Sequence, residues 1–149
     1  DGDQPYNVTK AYIWSHEFDT DVLVFMLGSN DSKPENWKGA EKFRKEYISL
    51  LETYTQVDYP PKVLLCTPPT AYFPDGVTEG LSNYDVQPLI IEEIADIVRD
   101  IAEEKGYMLI DINDITENRR DLFGKDNVHP NNEGAKEIAS AVYEFIIKL

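Results

Sequence analysis

The sequence predicts an α/β protein, a three-layer α/β/α sandwich built on a parallel sheet. Short apolar runs without alternation recur at residues 21–27, 62–67 and 107–112, as expected of strands buried on both faces. Longer stretches with apolar residues at helical spacing separate them. Strands and helices alternate, and with right-handed crossovers that order gives a doubly wound sandwich. The chain has 149 residues and no internal repeat, low-complexity tract or linker. It reads as one domain over 1–149.

Each element has its own signal. Residues 6–18 set Tyr12, Ile13 and Trp14 among polar residues, a short helix feeding the first strand; His16 reads there as a helix-surface residue. Val22-Leu23-Val24-Phe25-Met26-Leu27 is the first strand, and it stops at Gly28-Ser29-Asn30-Asp31. Phe43, Tyr47, Leu50, Leu51 and Tyr54 mark a helix over about 38–54, ended by Pro60-Pro61. Residues 62–67 form the second strand, closed by Pro68-Pro69. Ile90, Ile94, Ile97, Val98 and Ile101 line the inner face of a helix over 86–105, with Gly106 just past its end. The third strand follows, then a short helix and loop over 113–123. The last helix is capped by Asn131, with Ala135, Ile138, Ala139, Val142 and Ile146 as its apolar stripe and Gly134 allowing close packing.

Composition excludes several functions. With 14 basic and 28 acidic residues the net charge is −14, which repels phosphate backbones and anionic lipid. No apolar run reaches the ~20 residues that span a bilayer. No nucleic-acid or membrane partner is expected. Cys66 is the one cysteine. It lies in an apolar strand, so it reads as a buried small hydrophobe rather than a nucleophile, and no cysteine-rich metal site can form.

The chemistry concentrates on two loops. Strand carboxyl ends are where open α/β sheets bind ligands, and Gly28 and Asn30 lie just beyond such an end. Asp126 and His129 are three residues apart, and Pro130 keeps His129 out of helical geometry. A tight turn there can bring the carboxylate to imidazole Nδ1, which would leave Nε2 free as a base; the alternative is an Asx-turn aspartate beside an exposed loop histidine. Trp37 and the long loop over 70–84, with Tyr72 and Phe73, are candidate walls of a substrate pocket. Arg119 and Arg120 read as surface charges. A metal site from Asp31, Asp126 and His129 has no diagnostic spacing.

Gly28-Ser29-Asn30-Asp31 resembles the third conserved block of the SGNH, or GDSL-type, hydrolases, Gly-x-Asn-Asp. Asp126-Asn127-Val128-His129-Pro130 resembles their fifth block, Asp-x-x-His-Pro. The run from Leu27 to Pro34 is similar to the carbohydrate-esterase branch. The resemblance covers the chain in element order. It implies a flavodoxin-like sandwich and a serine esterase acting on acyl groups, often acetyl groups on sugars, with no metal or organic cofactor. It further implies that Asn30 is an oxyanion donor, His129 the base, Asp126 its orienter and Asp31 a loop brace.

The family's first block, Gly-Asp-Ser, and its second are not found: Asp1-Gly2-Asp3 does not match, and no serine has that context. The chain therefore reads as the C-terminal portion of such a domain, with N-terminal strands missing. On that reading it is inactive alone, and it pairs the edge of residues 21–27 with an N-terminal segment or with a second copy. The alternative is a non-catalytic carbohydrate-binding or interaction module using Trp37, Tyr72 and Phe73.

Overall fold

The computed structural model describes residues 5–149; residues 1–4 lie outside them. Strands β1 (Val22–Phe25), β2 (Lys62–Cys66) and β3 (Met108–Ile110) form a parallel sheet in the order β1-β2-β3. Val24 pairs with Leu64, and Leu65 with Leu109.

Among the described residues five α-helices accompany the sheet: α1 (Lys10–Ser15), α2 (Ala40–Thr55), α3 (Pro88–Lys105), α4 (Ile112–Thr116) and α5 (Asn132–Ile146). Successive strand residues point to opposite faces. Phe25, Val63 and Leu65 accordingly pack with Phe43, Tyr47 and Leu51 of α2 and Ile94, Val98 and Ile101 of α3. Leu64, Cys66 and Ile110 face the other way, toward Ile138, Val142 and Phe145 of α5. The three-layer expectation holds. No described helix is long and apolar enough to cross a membrane.

Four expectations are corrected. The strands are shorter than their apolar runs. Ile112 starts α4 instead of ending β3, because the Asp111 carboxylate caps that helix by accepting from the Asp114 N–H. The helix expected over 86–105 begins at Pro88, a residue suited to the first helical position. β1 is not buried on both faces. Among the described residues it stands at one margin of the sheet, α5 covers β2 and β3, and Val24 and Met26 stay 40% and 41% exposed. Finally, α5 packs through Ile138, Ala141, Val142 and Phe145, while Ala135, Ala139 and Ile146 face solvent. Its rotation follows from Gly134, which docks on the Leu122 backbone so closely that a Cβ there would lie 2.1 Å from the carbonyl oxygen.

Candidate active site

Asn30 is presented by a turn packed against the core. The Asp31 and Ser32 N–H groups donate to the Gly28 carbonyl, and Ser32 Oγ donates to the Ser29 carbonyl at 2.8 Å. Gly28 has φ +130°, and a Cβ there would meet Ile94 at 2.7 Å. The turn can lie this close to α3 only with glycine at that point. Asn36 Nδ2 donates to the Asn30 carbonyl at 2.8 Å. The Asn30 side chain itself is exposed. Asp31 keeps solvent contact, yet protein atoms crowd its carboxyl. That desolvation, with the charge of Glu46, pushes it above the usual carboxylate range despite a bond from its own backbone N–H.

The second half is the loop before α5. Asp126 Oδ1 accepts from the N–H groups of Val128 (3.0 Å) and His129 (2.9 Å), while Oδ2 lies 3.1 Å from His129 Nδ1. The amides of His129 and Val128, and then the imidazole, hold the Asp126 carboxyl below its usual range. Asn127 takes φ +64°, and the Gly124 N–H donates to the His129 carbonyl, closing the turn. With Nδ1 turned to the carboxylate, Nε2 faces away from it. The His129 side chain is 63% exposed.

Both halves stand on the carboxyl rim of the sheet. Asn30 follows β1, and the Asp126–His129 turn lies between β3 and the start of α5. Helix α5 then runs back to the amino rim, where Lys62 at the start of β2 donates from Nζ to the Leu149 carbonyl. A bracket that sequence reasoning missed joins the two halves. Asn83 Nδ2 donates to the Asp126 carbonyl (2.7 Å), and Gln87 Nε2 donates to the Ser32 carbonyl (2.6 Å). The only sequence signal was a long, turn-rich loop.

The other candidate residues are placed differently. Trp37 is half-buried, its ring 6.0 Å from that of Phe43 at the edge of the core. Tyr72 is half-buried against Phe123. Its hydroxyl donates to the Thr116 carbonyl and accepts from the Arg119 N–H. Both aromatic side chains are engaged in packing. Phe73 is half-buried. Arg119 pairs with Asp121, and Arg120 with Asp75 and Asn127. His16 stacks on Tyr54, with Nδ1 on the Tyr12 carbonyl. Cys66 is fully buried, and burial pushes its thiol up to about 11, leaving it unreactive.

A buried polar network under the rim was also missed. Thr67 Oγ1 accepts from the Asn113 N–H, and the Thr116 hydroxyl accepts from the Thr70 N–H. Arg99 makes a two-point contact to Asp111. Burial alone would raise the Asp111 carboxyl, but the Arg99 hydrogen bonds, the Asp114 amide, the Thr67 hydroxyl and the Arg99 charge together lower it. This network locks the β2 and β3 exits together. Among the described residues no group of three or more His, Cys, Asp or Glu side chains converges as a metal site would. An open groove of about 560 Å³ lies on the α2–α3 face beside Arg44 and Glu104, and none of the candidate site residues lines it. The imidazole instead stands on open surface.

Comparison with known proteins gives the family and the fold. The family model for GDSL-like lipase/acylhydrolase matches residues 3–142. The chain belongs to that family. An acetylxylan esterase of Xylanibacter ruminicola is 31% identical over 159 residues, covering 95% of this chain and 32% of that protein. A lipase/acylhydrolase from Enterococcus faecalis superposes with TM-score 0.71 at 17% identity, over 94% of this chain and 66% of that one. A carbohydrate acetylesterase from Sinorhizobium meliloti gives 0.70 at 20% identity, over 92% and 65%. The chain thus spans about a third of the curated relative and about two thirds of these solved structures.

Proposed function

We propose that the chain carries the general base, its orienting carboxylate and one oxyanion donor of a serine esterase that removes acyl groups, acetyl foremost, from a carbohydrate or small ester. The observation behind this reading is the Asp126–His129 couple, its free Nε2 standing on the same rim as the exposed amide of Asn30.

In this mechanism a serine hydroxyl adds to the ester carbonyl and His129 Nε2 takes its proton. Asp126 holds Nδ1–H and stabilises the imidazolium. Asn30 Nδ2 donates to the oxyanion of the tetrahedral intermediate; losing one such donor costs about 10²–10³ in rate. Collapse breaks the C–O bond, and the imidazolium protonates the departing alcohol. Water, activated by the same base, then frees the acid and the serine. A neutral sugar ester suits the acidic surface.

No serine in residues 1–149 stands in a Gly-Asp-Ser block, and on this reading the attacking serine is not one of theirs. Incubating residues 1–149 with an activated acetyl ester and mapping adducts by mass spectrometry tests this. The expected result is no serine adduct and no turnover above solvent. An acyl-serine on this chain would overturn the division of labour.

A further inference from the structure

We propose that Tyr84 is a positioning residue for His129, held in place by a strained loop whose two ends grip both halves of the site. Its ring lies 4.8 Å from the imidazole at an interplanar angle of 84°, an edge-to-face contact. The backbone there is costly. Tyr84 has φ +60° and Asp85 φ +59°, two consecutive left-handed residues that both carry a side chain.

The surroundings fix this conformation. The Ser82 N–H donates to the Val86 carbonyl at 2.7 Å, and Ser82 Oγ donates to the Tyr72 carbonyl at 2.6 Å. Val86 is 2% exposed. Asn83 and Gln87 tie the flanks to Asp126 and Ser32. Core packing does not explain the tyrosine itself, which is 59% exposed. What the loop achieves is to set an aromatic ring across an imidazole that is otherwise open to solvent. The bond to Asp126 Oδ2 fixes one end of the imidazole, and the Tyr84 ring limits its swing about the side-chain torsions. Together they keep Nδ1 on the carboxylate and Nε2 outward. The contact stands on the geometry alone; its effect on rate rests on His129 being the base.

The test separates these two claims. The chain has two histidines, so nitrogen-15 imidazole shifts of His129, with the imidazoles neutral, read its tautomer directly and His16 serves as the internal reference. Tyr84→Asn removes the ring with a residue that tolerates the left-handed conformation, so a merely structural Tyr84 predicts no change. The proposal expects a single Nδ1–H tautomer in the parent and in Tyr84→Phe. In Tyr84→Asn it expects a mixed tautomer population with His16 shifts unchanged. In the natural gene product it expects kcat to fall roughly tenfold in Tyr84→Asn, with KM little changed and Tyr84→Phe restoring it. Unchanged His129 shifts in Tyr84→Asn overturn the positioning role, whatever the activity does. Shifted His129 signals without a kcat loss leave the contact standing and count against His129 as the base.

Discussion

The side-chain amide of Asn83 donates to the backbone carbonyl of Asp126 at 2.7 Å, across 43 positions of sequence. Four residues on, Gln87 Nε2 donates to the Ser32 carbonyl. One short segment therefore holds the turn carrying Asn30 and the turn carrying His129. Replacing Asn83 by Ala should cost about 1 kcal/mol and speed hydrogen exchange at the Val128 and His129 amides. Replacing Gln87 should do the same at Ser32. The double variant should lose more than the sum of the single losses, because the two bonds share one strained loop. Equal exchange rates in parent and Asn83→Ala would show that the bracket holds nothing.

Gly134 fixes how α5 meets the site. Ala is the better helix former by about 1 kcal/mol, yet a Cβ at 134 would fall 2.1 Å from the Leu122 carbonyl oxygen, which is backbone and cannot swing aside. Gly134→Ala should destabilise by about 2–3 kcal/mol, lowering Tm by roughly 5–10 °C. Gly124→Ala is the control, since its nearest neighbour would be at 3.5 Å. A Tm for Gly134→Ala at or above the parent's would contradict the packing described.

Two aspartates should respond to pH with opposite signs. Asp126 is lowered by the His129 and Val128 amides. Its stabilisation is therefore complete above the unfolded pKa, ~3.9, and is lost as pH falls through the lower folded value. The Asp126 side-chain carboxyl carbon resonance should therefore titrate below the value of an unfolded aspartate, and a midpoint at or above ~3.9 would contradict the two amide bonds. Asp31 is raised by desolvation and Glu46, so ionisation there weakens the fold. Asp31→Asn should raise Tm slightly at neutral pH, and the gain should vanish as pH falls through the raised value. A neutral-pH loss in Asp31→Asn would assign the carboxylate a bracing role that outweighs its desolvation.

The outer edge of β1 has no strand partner among the described residues, and Val24 and Met26 beside it are two-fifths exposed. An uncovered apolar edge is a pairing template. Residues 1–149 alone should associate with rising concentration in sedimentation velocity, and Val24→Lys should return them to monomer. A monomer at every concentration, with fast-exchanging amides over 22–26, would argue against pairing through this edge.

Much of this was legible in the sequence. The runs around Leu64 and Leu109, the stripe from Ile94 to Ile101 and the Asn131 cap each follow from a local rule, and each appears as read. The turn linking Asp126 and His129 was also local, since Pro130 and a three-residue spacing define it. What was not legible depends on contacts between distant segments. Nothing near Tyr84 signals that it will meet His129, because its loop is held through Ser82 and Asn83 by Tyr72 and Asp126, distant in the chain. The rotation of α5 is set by the Leu122 carbonyl, which no periodicity within the helix can report. Composition cannot distinguish an aromatic ring that faces a ligand from one that closes a core, and Trp37 and Tyr72 each lie against an aromatic neighbour.

The central claim is that His129 is the base of an ester hydrolase. It is tested most directly by the acetyl-ester kcat/KM of the natural gene product carrying His129→Ala. The account predicts a loss of at least about 10³-fold, the scale on which triad members fail, with the fold intact by circular dichroism. Activity within threefold of the parent would contradict it.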